Sequence, residues 1–178
     1  MGCIISRASR TDISNMRLLK VITVEDFYDQ QTANQIATVI ENLPMVENEY
    51  GQEPENFNMV SDDASEMFSE VLNKNVTVIE EQSGLFRIPK IFIHFESFEY
   101  PQDWAFAAAL RPTTFNIFEH KSRVKTALQE YKFDYKNLFE WDLTVNYQLS
   151  PGQAVFFRPW LFHSFHSGLI QTFRLKEV

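Results

Sequence analysis

The sequence predicts a mainly β domain with two helices near its N-terminal end, built as a barrel or a sandwich with the helices packed outside. Two observations predict this class. Short apolar runs separated by turn residues fill the second half of the chain, whereas apolar residues recur at helical spacing in the first. The chain has 178 residues, a 44% hydrophobic fraction and 17 phenylalanines, so one domain with a core of large flat rings is expected.

The first half of the chain holds the two predicted helices. Thr23 stands three residues before Asp26, close to a capping box, and apolar residues continue at helical spacing to Leu43, where Pro44 ends the pattern. The predicted elements are a strand over 17–23, a helix to residue 43, an acidic surface loop over 45–59 and a second helix over 61–73. Residues 1–16 are expected to form a flexible N-terminal segment, and 17–178 a single domain.

The second half switches to the pattern of short strands, with glycine and proline between them. A short helix is predicted over 121–131, where apolar residues return to helical spacing. The predicted strands cover residues 76–80, 85–88, 91–95, 104–110, 114–119, 143–149, 153–157 and 169–175.

Composition and charge exclude several classes of protein. The net charge is −8 and no basic stripe is present, so nucleic acid is not an expected partner. Cys3 is the one cysteine, which excludes an internal disulfide and favours a reducing compartment, so a cytoplasmic location is expected. No apolar run is long enough to span a bilayer. Gly2 and Cys3 fit a lipidation pattern, but a plain flexible start is preferred and no membrane partner is expected.

His94 and Glu96 are the first candidate pair for chemistry. They stand two apart in a strand-like segment, so both side chains point to one face of the strand. An imidazole and a carboxylate side by side are two ligands of a 2-His-1-carboxylate metal site, and His163, after a distant apolar strand, could supply the third. Arg174, on the last apolar strand, could pair with a carboxylate, and Arg87 could help to bind one.

Together these residues resemble the signature of the Fe(II)/2-oxoglutarate-dependent dioxygenase superfamily: H-x-D/E, a distal His, and an Arg or Lys on the final strand. PGQAVFFRPWLFHS is similar to the family's strand and corner before the distal His. IHFESFEYPQDWAFAAALRP and FNIFEHK look like the compact members common in marine phage genomes.

The resemblance implies a double-stranded β-helix, which is a jelly roll or cupin-like barrel. It also implies Fe(II) held by His94, Glu96 and His163, with 2-oxoglutarate paired to Arg174. The expected activity is hydroxylation of a small molecule or peptide, in the host cytoplasm or a virion if the chain is phage-encoded.

The chain departs from the family pattern at two places. Glu96 replaces the usual aspartate, and the glycine pair that often precedes the FNIF-type strand is absent. His166 is a second candidate for the distal ligand, but the Trp-x-x-His corner favours His163. His120 ends a strand at a loop and is interpreted first as a surface residue and second as a group beside the ligands.

Two other functions stay open at this point. The same barrel could be a non-catalytic structural or binding module with protein partners, for example a phage virion or assembly component, because Glu96 and the missing glycine pair are unusual. A cupin-like isomerase or metal-binding protein could use the same ligands without a keto acid. Singly, each residue also has a plain explanation: His94 and Glu96 as an exposed polar pair, Arg174 as an edge charge.

Overall fold

The computed structural model describes residues 21–90, 93–95, 103–121 and 135–178. The described part of the chain is mainly β, as the sequence predicts, and none of its helices has the length and apolar character needed to cross a membrane. In chain order the elements are β1 (Val21–Val24), α1 (Gln30–Glu41), β2 (Met45–Asn48), β3 (Gly51–Pro54), α2 (Ala64–Leu72), β4 (Val76–Val78), β5 (Leu85–Pro89), β6 (Trp104–Ala109), β7 (Thr113–His120), β8 (Trp141–Leu149), β9 (Ala154–Phe157), β10 (Phe162–His166) and β11 (Ile170–Glu177).

The strands form two antiparallel sheets. The larger has the order β1-β9-β6-β11-β5-β3-β2, with β4 also paired to β11, and the smaller has the order β10-β7-β8. Ala105, Ala107 and Ala109 of β6 pack in one buried cluster with Phe115 of β7 and Phe165 of β10. Because that cluster joins residues of both sheets, one face of the larger sheet lies against the smaller sheet.

The opposite face of the larger sheet carries the bulky residues and is covered by helices. Phe106, Phe156 and Phe173 pack with Phe68 of α2, and the ring centroids of Phe68 and Phe106 are 4.9 Å apart. The buried residues of α1 pack similarly on Phe86, which belongs to β5. Side chains alternate along a strand, so Phe173 faces the helices while Arg174 faces the smaller sheet.

The structure differs from the sequence prediction in several described places. The predicted strand over 91–95 is reduced to a single bridge between His94 and His163, and residues 91 and 92 lie outside the described residues. The predicted loop over 45–59 contains the hairpin β2–β3, and β10 is a strand that the sequence did not predict. Helix α1 is capped by Asp29, whose side chain accepts a hydrogen bond from the Thr32 N–H at 2.8 Å, whereas Thr23 lies in β1. The sequence pattern predicts neither the hairpin nor β10, because polar side chains interrupt the alternation of apolar residues in both. The predicted flexible segment 1–16 and most of the predicted helix 121–131 lie outside the described residues.

The Phe68→Ala variant tests the ring core under α2. Phe68 is fully buried and contacts the rings of Phe27, Phe106 and Phe173, so its loss should lower the free energy of unfolding by about 3–5 kcal/mol. Val39→Ala, at a position of α1 that is 58% exposed, is the control and should change it by less than about 0.5 kcal/mol. Urea denaturation measures both, and equal losses would contradict this description of the core.

Candidate metal centre

Two histidines from distant parts of the chain are joined through their backbones. The His94 N–H donates to the His163 carbonyl at 2.9 Å, and the His163 N–H donates to the His94 carbonyl at 2.8 Å. Residues directly opposite in an antiparallel pair project their side chains to the same face. The two imidazole centroids are accordingly 4.3 Å apart.

His163 is enclosed by aromatic rings. The centroid of Phe157 is 4.6 Å from that of His163, and those of Phe115 and Phe165 are each 6.2 Å from it. The His163 side chain is fully buried. Its Nδ1 lies 2.7 Å from the Leu161 carbonyl oxygen, while its Nε2 is buried with no hydrogen-bond partner in the described part of the chain.

The hydrogen bond to Leu161 settles which nitrogen of His163 carries the proton. A carbonyl oxygen can only accept, so Nδ1 is the donor and Nε2 of the neutral ring keeps its lone pair. Burial lowers the pKa of His163 well below its ordinary 6.5, and the nearby His94 and Arg174 lower it further. A neutral imidazole held through one nitrogen, with an unused lone pair on the other, is the form that binds a metal ion. His163 and its neighbour His94 therefore fit a divalent metal.

Arg174 is a buried cation at the same level of the structure. It stands opposite Ala105 in β6, which in turn stands opposite Phe157 in β9, the ring on which His163 packs. Its backbone N–H donates to Ser83 Oγ at 2.8 Å, and its side chain faces the smaller sheet because Phe173 and Leu175 face the helices. An arginine held this deeply can form a bidentate pair with a buried carboxylate.

A cavity of about 470 Å³ brings these groups together. His94, His163 and Arg174 line it, and Phe95, Phe157, Phe165 and Ile170 are among its apolar walls. The arrangement can hold a metal ion beside a small organic acid, because the imidazoles and the guanidinium line one cavity.

Arg87 also lines the cavity, but in a different setting from Arg174. Its guanidinium pairs with the Glu53 carboxylate, with 3.1 Å from Nη2 to Oε2, and stacks over Tyr50 at 5.2 Å from the ring centroid. Its side chain is 21% exposed, whereas Arg174 is 5% exposed. The two predicted carboxylate-binding arginines therefore lie at different depths.

Tyr50 is a wall of the cavity that sequence reasoning missed. It lies at the tip of the hairpin β2–β3, and its ring centroid is 6.2 Å from that of His94. Gly51 beside it has φ +140°, and a Cβ there would meet the Ile88 carbonyl oxygen at 2.1 Å, so the tip sits directly on β5. A glycine after an aromatic residue in a polar stretch was the available signal for this turn.

The structure does not bring the remaining predicted or rival site residues into the described cavity lining. Glu96 lies outside the described residues, and within those residues no group of three or more His, Cys, Asp or Glu side chains could hold a metal ion. His166, the rival for the distal ligand, is exposed at the end of β10. His120 ends β7, where its Nε2 lies 3.4 Å from the Glu140 carboxylate, and it does not line the cavity.

By sequence, the chain matches no protein-family model and no curated protein. Its structure is similar to HygX from Streptomyces hygroscopicus, solved with nickel, 2-oxoglutarate and hygromycin B bound, with a TM-score of 0.61 at 9% identity over 96% of this chain and 88% of that one. It is also similar to SnoN, a non-heme alpha-ketoglutarate-dependent epimerase from nogalamycin biosynthesis, with a TM-score of 0.55 at 11% identity over 92% and 81% of the two chains. The chain shares their fold.

The buried neutral His163 should make the stability of the metal-free protein depend on pH. The folded-state pKa of His163 is lowered, so only the unfolded chain protonates this imidazole as the pH falls below about 6.5. The free energy of unfolding that is present above that pH is therefore lost, at up to about 1.4 kcal/mol per pH unit. Urea denaturation between about pH 7 and pH 5 measures this slope. His163→Gln should show a shallower fall, and equal slopes in the two proteins would contradict the assignment.

Proposed function

We propose that the chain is an Fe(II)- and 2-oxoglutarate-dependent oxygenase that hydroxylates an as yet unidentified substrate. The observation that carries the proposal is the Nε2 of buried His163, which has no hydrogen-bond partner among the described residues and lies beside the His94 ring in a cavity that Arg174 also lines. The fold shared with HygX, which was solved with nickel and 2-oxoglutarate, and with SnoN, which is alpha-ketoglutarate-dependent, supports it.

His94 and His163 are the proposed histidine ligands of the iron, and Glu96 is the proposed carboxylate ligand. Glu96 follows His94 by two residues, which would place both side chains on one face if the backbone is extended there. This part of the proposal comes from the sequence alone, because Glu96 lies outside the described residues. When bound, Fe(II) with 2-oxoglutarate supplies the oxidising chemistry that activates O₂ for attack on a C–H bond.

The protein's own residues have three tasks in this proposal. Arg174 binds the carboxylate of 2-oxoglutarate that is remote from the metal, in a site dry enough to strengthen the pair. The Leu161 carbonyl fixes the His163 ring so that its Nε2 lone pair stays available. Phe157 and Phe165, together with the other apolar walls, exclude water from the reacting centre.

The finer features implied by the sequence resemblance belong to the same proposal. We infer that the two sheets form the double-stranded β-helix of the superfamily, and that the chain is of the compact type seen in marine phages. The cytoplasmic location and the single domain over 17–178 stay predictions, as does hydroxylation as the outcome of the reaction.

Anaerobic titration with Fe(II) tests the metal ligands. The wild-type chain should bind one equivalent, and His94→Ala and His163→Ala should each weaken binding by tenfold or more, since each removes an imidazole ligand (about 10- to 100-fold for disturbing a metal site). His166→Ala is the matched control, because His166 is an exposed histidine on the same strand, and should leave the affinity unchanged. Equal affinities for all four proteins would overturn the proposed centre.

A second titration, with 2-oxoglutarate added to the Fe(II)-loaded protein, tests Arg174. Arg174→Gln should bind Fe(II) normally and weaken 2-oxoglutarate by about 10- to 100-fold, the loss expected for a charge-assisted bidentate pair. The charge-transfer absorption of the iron–keto acid complex reports this binding. Unchanged 2-oxoglutarate affinity in the variant would contradict the role of Arg174.

An activity assay tests the reaction itself. Absence of succinate with every substrate offered would contradict the proposal that the chain is an oxygenase. A product heavier by one oxygen atom separates hydroxylation from epimerisation.

A further inference from the structure

We propose that the substrate of this site is a small organic acid with an apolar or aromatic body, and that Arg87 binds its carboxylate. This inference rests on the proposed function and names the class of substrate. The sequence predicts that Arg87 helps to bind a carboxylate, and its contacts favour a substrate carboxylate over one of the keto acid.

Cationic side chains outnumber carboxylates among the described residues that line the cavity. The chain as a whole has a net charge of −8, yet the described side chains that line the cavity include three cations and a single carboxylate. The cations are Arg87, Lys90 and Arg174, and the carboxylate is Glu81, which is exposed. Lys90 is already paired with Glu47, with 2.5 Å from Nζ to Oε1, so with one keto acid on Arg174 the remaining described cation facing the space is Arg87. An arginine with apolar neighbours favours a ligand that has an anionic end and an apolar body.

Arg87 has a donor to spare, as a comparison with Arg111 makes clear. All three guanidinium nitrogens of Arg111 donate: Nε and Nη2 reach separate oxygens of Glu41 at 2.8 and 2.7 Å, and Nη1 reaches Asn34 at 2.8 Å. Arg87 directs Nε and Nη2 to one oxygen of Glu53 at 3.3 and 3.1 Å, and Nη1 has no hydrogen-bond partner in the described ranges. A guanidinium held this loosely can accept a second carboxylate.

The position of Arg87 separates it from the keto-acid site. Arg87 stands opposite Ile170 on β11, whereas Arg174 is four residues further along that strand, or about 13 Å at about 3.3 Å a residue. Arg174 lies level with the ring that His163 packs on, and Arg87 lies at the partly exposed end beside the hairpin. The two arginines therefore suit two different anions.

Tyr50 links Arg87 to the metal centre. The guanidinium carbon of Arg87 lies 5.2 Å from the Tyr50 ring centroid, and that ring lies 6.2 Å from the His94 ring centroid. A molecule whose carboxylate is bound by Arg87 can rest its body on the Tyr50 ring and extend towards His94. Glu53 would then share Arg87 with the ligand or release it, which its 28% exposure allows.

A pair of probes that differ only in charge tests the inference. Phenylacetate and phenylacetamide have the same aromatic body, one with a carboxylate and the other with a neutral amide. Calorimetric titration of the Fe(II)- and 2-oxoglutarate-loaded protein under nitrogen should show phenylacetate binding about tenfold more tightly or better, because its pair with Arg87 is charge-assisted. Arg87→Gln should reduce this preference to about twofold or less and should leave 2-oxoglutarate affinity unchanged.

Arg111→Gln is the matched control, because it removes another arginine paired with a glutamate, outside the cavity, and should keep the full preference. Arg87→Lys should retain part of it, and thermal melting checks that each variant is folded. A preference that survives in folded Arg87→Gln, no preference in the wild type, or an equal loss of 2-oxoglutarate affinity in Arg87→Gln would overturn the assignment.

The same titration without metal or keto acid separates this inference from the proposed function. It is done in the Arg174→Gln background, so that Arg174 cannot bind the probe. A charge preference that depends on Arg87 there supports the anion site even if the chain binds no iron. If the protein binds Fe(II) and 2-oxoglutarate but shows no charge preference that depends on Arg87, the anion site is overturned and the proposed function is not.

Discussion

The pair of backbone hydrogen bonds between His94 and His163 is the constraint on which the site depends. Each residue donates to and accepts from the other, so their side chains must leave the backbone on the same side. That pairing is anchored because β10 is paired with β7 along its length, and it fixes two imidazoles at a 4.3 Å centroid separation without any bond between them. The proposed metal ligands are thus positioned by backbone, while Leu161 orients only the ring of His163.

The cavity has room for Arg174 because the residue opposite it in β6 is small. The face towards the helices carries Trp104 and Phe106, which fill the core under α2, whereas Ala105, Ala107 and Ala109 face the smaller sheet. Ala105 lines the cavity directly opposite Arg174, where a larger side chain would compete with the guanidinium for space. Phe106 and Phe173 pack under the helices, while Ala105 on the opposite face leaves room for the Arg174 side chain.

The sequence predicts those features that depend on residue type and on the alternation of apolar and polar residues along the chain. The mainly β class, the position of Arg174 between Phe173 and Leu175, and most strand positions in the second half follow from local patterns. The approach of His163 to His94 does not follow from local patterns, since it depends on pairing between distant segments. Only the family resemblance indicates that the two histidines meet. The hairpin that brings Tyr50 to His94 was missed because the pairing of β2 with β3 and of β3 with β5 is made by backbone groups, under side chains that are mostly polar. Glu96 and His94 share a face only by inference from strand period.

The most direct test is a crystal grown anaerobically with Fe(II) and 2-oxoglutarate, in which anomalous scattering at the iron edge locates the metal. We predict a single strong peak within coordination distance of His163 Nε2 and of the His94 ring, with the keto acid extending to Arg174. No peak at these imidazoles, or a peak at His120 or His166 instead, would contradict the account.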